Sequence, residues 1–282
     1  MPHRSDNKEF VEALARGLEI IRAFHAHKPI RTVSDLSSEL DLARPTVHRI
    51  LQTLTELGYV VQTDQGYYLT AKVIELGVSY IATRGFYGAA RPHMEQLASD
   101  IDQAVTLCEL SDADIVVIGR AEVPKIVAYN AALGQKLPAH STALGRVLLA
   151  GLDDEELMQR LEMPALSPMI PLATVPKDEL LSEIRQIRRQ GWSMVDQTMS
   201  IGFHAIAAPI TDANQDTVAA VGIIVHGTDI PSARLVDEIV PKLCDCARNI
   251  SADFAHMASL PRVRATPQEP GYVNFTSHST PA

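Results

Sequence analysis

Apolar residues Phe10, Leu14, Leu18, Ile21 and Phe24 recur at spacings of three and four, the signature of one face of an amphipathic helix. Thr32-Val33-Ser34-Asp35 then supplies capping groups ahead of Leu36 and Leu40, which predicts a short second helix from about Val33 to Glu39. Asp41-Leu42-Ala43 makes a turn. Pro45, tolerated in a first helical turn, opens a third helix whose Val47, Ile50, Leu51, Leu54 and Leu57 are expected to face inward before Gly58 closes it. Tyr59–Val61 and Tyr67–Leu69 are rich in β-formers and flank Thr63-Asp64-Gln65-Gly66, a hairpin turn. That order of elements, over residues 9–70, is the order of a winged helix-turn-helix domain.

Residues 71–90 are expected to hold a linker helix, with Val73, Leu76 and Tyr80 on one side. From 91 to 256 strand-like and helical segments alternate. Helices are expected at about Pro92–Asp100, Ser141–Ala150, Asp153–Arg160, Lys177–Gln190 and Pro231–His256. Strands are expected at Ala104–Glu109, Ile115–Arg120, near Ile126–Tyr129, Trp192–Gln197, Ala205–Ile210 and Val218–His226. Tight turns between strands predict an α+β domain with a mostly antiparallel sheet and helices on one side. Residues 1–8 and 257–282 lack periodicity and are expected to be disordered.

A composition that is 46% hydrophobic and 21% charged supports a packed core and excludes disorder throughout. No run approaches the roughly 18–20 apolar residues of a membrane span, and the first ten residues are too polar for a signal-peptide core, so no membrane partner and a cytoplasmic location are expected. Cys108, Cys244 and Cys246 are too few and wrongly spaced for a disulfide framework or a structural zinc site. The net charge of -9 lies entirely after residue 72, because residues 1–72 carry nine basic and nine acidic groups with four histidines besides. Two domains with different partners follow from that asymmetry. On the third helix Arg44, Thr46, His48, Arg49, Gln52 and Thr53 point outward, all able to hydrogen-bond, as a helix entering a major groove requires. A merely solvated face would have the same pattern.

Catalytic signatures are missing from the larger domain: there is no dinucleotide or phosphate loop, no nucleophile elbow and no zinc-protease motif. His93, His140, His204, His226 and His256 stand apart from any partner at metal or triad spacing, and Asp153–Glu156 reads as the acidic first turn of a helix. No enzyme activity, metal or cofactor is therefore expected.

Several strings, in order over some 240 residues, resemble the IclR family of bacterial transcription factors. They are Ala15-Arg16-Gly17-Leu18-Glu19-Ile20-Ile21, Pro45-Thr46-Val47-His48-Arg49-Ile50-Leu51, Leu57-Gly58-Tyr59-Val60 and Leu69-Thr70, then the segment Leu137–Ala150, Gly191–Gln197 and Ala205–Ile210. Arg22-Ala23-Phe24, Val195-Asp196-Gln197 and Ala219-Ala220-Val221 followed by His226 resemble, within it, the protocatechuate and para-hydroxybenzoate regulators. The resemblance implies a winged helix, a linker helix and an effector-binding domain, assembled as a homodimer or homotetramer on a double-stranded DNA operator. It also implies DNA contacts from Arg44, Thr46, His48 and Arg49, with Ser34 and Gln65 at phosphates. Family effector positions fall on Ala143, Leu144, Val195, Ala205, Gly222 and Ile224.

Members that bind glyoxylate or similar small acids are polar at several of these positions, where this chain has Val195, Gly222 and Ile224. An apolar wall suits a larger, flatter ligand, since buried hydroxyls without partners cost about 1–3 kcal/mol each. The helix N-terminus at His140–Ala143, with the Ser141 and Thr142 hydroxyls, offers an anion site, although simple capping accounts for both hydroxyls equally well. His204 and His226 are the candidates for a ring hydroxyl. The expected function is a ligand-responsive regulator of a catabolic operon whose effector is an aromatic carboxylic acid. A regulator answering to a small keto or hydroxy acid, and an α+β enzyme with an accessory helical domain, are the alternatives.

Overall fold

The computed structural model describes residues 9–25, 28–77, 80, 86–123, 132–172 and 174–259. It divides into two compact units, Met1–Gly85 and Phe86–Ala282.

In the first unit α1 (Glu12–Arg22), α2 (Val33–Leu40) and α3 (Arg44–Glu56) precede a hairpin of β1 (Val60–Thr63) and β2 (Gly66–Leu69), paired antiparallel from Val60↔Leu69 to Thr63↔Gly66. Thr32 and Asp35 close a reciprocal capping box at the start of α2, and Asp41, at φ 52°, turns the chain toward α3. Ile20, Leu36, Val47, Leu51, Leu54, Val60 and Tyr67 form the core. Two expectations change here. Leu57 is exposed, because α3 ends at Glu56 and the chain turns at Gly58, φ +77°. The apolar face of α1 does not pack inward along its length: Ile20 and Ala23 are buried, while Phe10, Leu14 and Leu18 remain 43–63% exposed. Residues 71–77 form helical turns, and most of the rest of the expected linker helix up to Phe86 lies outside the described residues.

Arg31 fastens the hairpin to the helices. Its backbone pairs with Tyr67 in both directions (2.9 and 2.8 Å), and its buried guanidinium donates to the Ala23 carbonyl and to Glu39.

The second unit is built on a six-stranded sheet of order β5-β4-β3-β8-β7-β6, antiparallel throughout. Its strands are β3 (Val105–Ser111), β4 (Asp114–Ala121), β5 (Lys136–Pro138), β6 (Ser193–Asp196), β7 (Phe203–Thr211) and β8 (Thr217–His226). Its helices are α4 (Phe86–Ile101), α5 (Ala143–Ala150), α6 (Asp154–Glu162), α7 (Lys177–Gln190) and α8 (Val240–Ser259). Alternation along β7 sends Ile206, Ala208 and Ile210 to one face and Ala205 and Ala207 to the other. The first face is covered by α4 and α8, the second by α5, α6 and α7. Helices therefore lie on both sides of the sheet rather than on one, as the near-continuous apolar runs of β7 and β8 require.

The strand expected near Ile126–Tyr129 lies outside the described residues, and β5 was not anticipated. It is three residues long and is placed by its pairing with Asp114–Val116. Helix α4 begins at Phe86, before the expected Pro92, which sits inside it. Among the described residues no helix is long and apolar enough to cross a membrane.

Candidate functional site

Two surfaces gather the residues singled out in the sequence. On the first unit Ser34, Arg44, His48 and Arg49 line an open groove with Thr32, Val33 and Pro45. Arg44 Nη2 donates to Ser34 Oγ (3.0 Å), so the start of α2 and the start of α3 present their donors together. Thr46 is half-buried one position before the buried Val47, while Arg44, His48, Arg49, Gln52 and Thr53 are exposed. From Arg44 to Thr55 the helix carries no acidic residue. Asp35, at the edge of the groove, is committed to capping: the Thr32 hydroxyl and then its N–H hold the carboxyl below the usual range. Gln65 sits at the hairpin tip beside Asp64, apart from the groove residues.

In the second unit a small pocket, with a cavity volume of about 40 Å³, opens between α5, the β6–β7 ladder and β8. It brings together Ser141, Thr142, Ala143, Leu144, Val195, His204, Ala205 and Ile224. Ala143 and Leu144 are the first two residues of α5, so their N–H groups have no acceptor within the helix. Thr142 Oγ1 accepts from Gly145 N (3.0 Å), and the helix N-terminus stays open beside the Ser141 hydroxyl. Behind it Arg146 Nε donates to the His140 carbonyl (2.9 Å) and its guanidinium pairs with Glu183, fixing the turn at Ala139–Ser141 against α7. Gly145 allows that turn to approach: a Cβ there would lie 2.1 Å from the Ala139 carbonyl oxygen.

Gly222 and His226 are not among the lining residues. Gly222 lies beneath Leu144, where a Cβ would come within 2.7 Å of the Ile206 carbonyl and 2.9 Å of Leu144 Cδ2, so its role is to let α5 settle on the sheet. His226 stands behind the wall, its ring edge-on to Phe203 at 5.0 Å and its Nδ1 2.7 Å from Thr228 Oγ1. The sequence reasoning missed Thr198, Met199 and Ser200, which come from the β6–β7 connection, and Phe203, the first residue of β7. A polar loop ended by a glycine between two strands was the available signal; Gln197 (φ 50°) and Gly202 (φ +81°) turn it, and Gly202 N donates to Gln197 Oε1 (2.8 Å).

The walls are chiefly apolar, from Leu144, Val195, Met199, Phe203, Ala205 and Ile224, and the polar groups are hydroxyls, helix N–H groups and the His204 imidazole. Such a site binds and orients; it holds no nucleophile–base pair. Burial pushes the thiols of Cys108 and Cys246 up, that of Cys246 to about 12, so neither is a thiolate at neutral pH. No cluster of three metal-ligating side chains occurs among the described residues.

Family comparison decides what these two surfaces belong to. Residues 13–64 match the IclR helix-turn-helix domain and residues 78–252 the bacterial transcriptional regulator IclR C-terminal domain. The chain belongs to the IclR family. It is a DNA-binding transcriptional regulator with an effector domain, and not an enzyme. A relative from Pseudomonas putida, the Pca regulon regulatory protein, is 32% identical over 86% of this chain and 84% of its own. The p-hydroxybenzoate hydroxylase transcriptional activator of Acinetobacter baylyi is 24% identical over 88% and 95%. Among solved structures, a candidate transcriptional regulator from Rhodococcus sp. RHA1 superposes with a TM-score of 0.77 at 37% identity, covering 88% of this chain and all of that one. An IclR homologue from Microbacterium hydrocarbonoxydans, solved with 4-hydroxybenzoate, shares the fold with a TM-score of 0.75 at 22% identity, over 86% and 99%.

Proposed function

We propose that this IclR-family regulator answers to an aromatic carboxylic acid held in the pocket between α5 and the β6–β7 ladder. The observation that carries the reading is one cavity joining the open N-terminus of α5 to walls of aliphatic and aromatic side chains. The helix end neutralises a carboxylate without a buried counter-charge, and the walls accept a flat ring. A small keto acid would leave most of those walls without a partner. Relatives named for p-hydroxybenzoate hydroxylase activation and for the Pca regulon support the same class of ligand.

DNA contact falls to Arg44, Thr46, His48 and Arg49 on α3, with Ser34 and Gln65 at phosphates. A homo-oligomer follows from the few base pairs one α3 can read, since two half-sites multiply the discrimination. The exposed apolar residues Phe10, ahead of α1, and Leu14 and Leu18 on it, together with Ile74, Leu76 and Tyr80, are surface for a second copy. Calorimetry with protocatechuate and para-hydroxybenzoate, set against glyoxylate and pyruvate, tests the ligand class. Ring acids are expected to bind and the aliphatic acids to show no heat; binding by the aliphatic acids alone would refute the reading.

A further inference from the structure

The effector domain holds a second, larger cavity of about 360 Å³, within the roughly 300–1,000 Å³ of ordinary small-ligand sites. One turn serves both spaces: Ala139 and His140 line this cavity, and the next residue, Ser141, lines the pocket described above. Its other walls include the end of α6, the start of α7, Leu149 of α5 and parts of the connection from Met163 to Pro176. That connection is pinned to the sheet. The buried Asp114 carboxylate accepts from Leu166 N (2.7 Å) and Ser167 N (3.3 Å), and Ser167 Oγ donates to the Lys136 carbonyl (2.9 Å). Leu172 N donates to the Thr198 carbonyl (2.8 Å). The cavity is therefore a built feature of the fold.

Its lining divides by chemistry. Leu149, Leu161, Met163, Val175 and Leu180 give an aliphatic and thioether wall, with no aromatic side chain among the described lining residues. Arg160, Lys177 and His140 are also in the lining, and none of its described residues is acidic. The acids that pair with the two cations stand outside it: Glu156 and Asp112 lie 2.9 and 3.5 Å from Arg160, and Glu162 lies 3.7 Å from Lys177. All three are 43–73% exposed, and such solvent-screened pairs hold weakly, which leaves both cations able to meet a ligand anion. Burial, and then the nearby Arg146, hold the His140 imidazole below its ordinary 6.5, so at neutral pH it is an uncharged hydrogen-bonding group. We propose that this cavity is a second ligand site, for an aliphatic monocarboxylate whose chain lies on the leucine-rich wall and whose charge is met by Arg160 and Lys177. Walls without aromatic rings suit a chain, and two cations already part-matched by acids suit one negative charge rather than the two of a phosphate ester. The proposal does not depend on which effector the α5 pocket takes.

The test titrates the full-length protein, carbon-13 labelled at its methionine methyl groups, with hexanoate, 1-hexanol and hexylamine, probes of similar length that differ in charge. Met163 lines this cavity and Met199 the pocket beside α5, so the two methyl signals tell the sites apart. Hexanoate is expected to shift Met163 saturably and to bind there about fivefold or more tightly than the alcohol or the amine. Arg160→Gln combined with Lys177→Gln is expected to remove that preference while hexanol binding stays within about twofold of wild type. Both side chains reach solvent, and an unmoved Met199 signal in the unliganded double variant verifies its fold. Lys177→Gln alone, at the more exposed of the two positions, is expected to lose part of the preference and serves if the double variant is perturbed. No Met163 shift, a shift of Met199 alone, equal binding of hexanoate and hexanol, or a preference that survives the substitutions overturns the proposal.

Discussion

Arg31 shows how much a single residue settles in the DNA-binding unit and how little of that is visible beforehand. It lies in a polar stretch with no periodicity, yet its side chain is almost fully buried and joins Ala23 to Glu39, while its backbone pairs with that of Tyr67. Hydrogen bonding from Arg31 is the main reason the Glu39 carboxyl is held below its usual value of 4.5, with the nearby His25 adding to it. A depressed folded-state pKa stabilises the protein above the unfolded value and ceases to do so as pH falls through the folded one. Unfolding of the winged unit is therefore expected to become easier below about pH 4.5. Because Glu39 is more than a third exposed and screened by solvent, Glu39→Gln should lower stability by no more than about 1 kcal/mol at neutral pH and flatten the acid limb, as thermal melts at several pH values will show. The hydroxyl pair Ser141-Thr142 was legible because it precedes an apolar run; buried Asp114, which accepts from Leu166 N (2.7 Å), was not, because its partners are 52 and 53 residues away.

Elements were read well where one face meets one core. Helix α3 matches its pattern almost to the residue, since Val47, Leu51 and Leu54 recur with the helical period and Pro45 and Gly58 bracket it. The apolar face of α1 was real, but sequence spacing does not reveal whether a core or a second molecule covers it. The sheet's second helical layer was missed for a related reason: apolar runs in β7 and β8 specify burial on both faces without naming what lies there. Pocket residues on α5, β6, β7 and β8 were reachable through the family strings, whereas Thr198–Ser200 sit in a loop whose position only the fold supplies. At this scale the outward face of α3 makes the sharpest prediction. Arg49→Ala is expected to lose about 1–3 kcal/mol of operator affinity and to relax the sequence preference at the base it contacts. Gel retardation on operator variants checks it, and unchanged retardation would remove Arg49 from the interface.

The molecule as a whole is an acidic chain whose first 72 residues are neutral, so DNA attraction has to come from a localised face and from repetition of that face in an oligomer. Sedimentation is expected to find dimers or tetramers at micromolar concentration, and polar substitutions at Leu14 and Leu18 to shift the population toward monomer. A monomer with and without DNA would contradict the second-copy surface. An effector changes operator occupancy only if it binds the DNA-competent and incompetent arrangements with different affinity, and such couplings are typically 1–3 kcal/mol, or about 5–150-fold. The most direct measurement is fluorescence anisotropy of an operator selected by the protein from random-sequence DNA, titrated with and without saturating 4-hydroxybenzoate. Operator affinity is predicted to change by at least fivefold with the ring acid and to stay unchanged with glyoxylate or pyruvate. An affinity indifferent to the ring acid, or shifted by the aliphatic acids alone, would contradict the account.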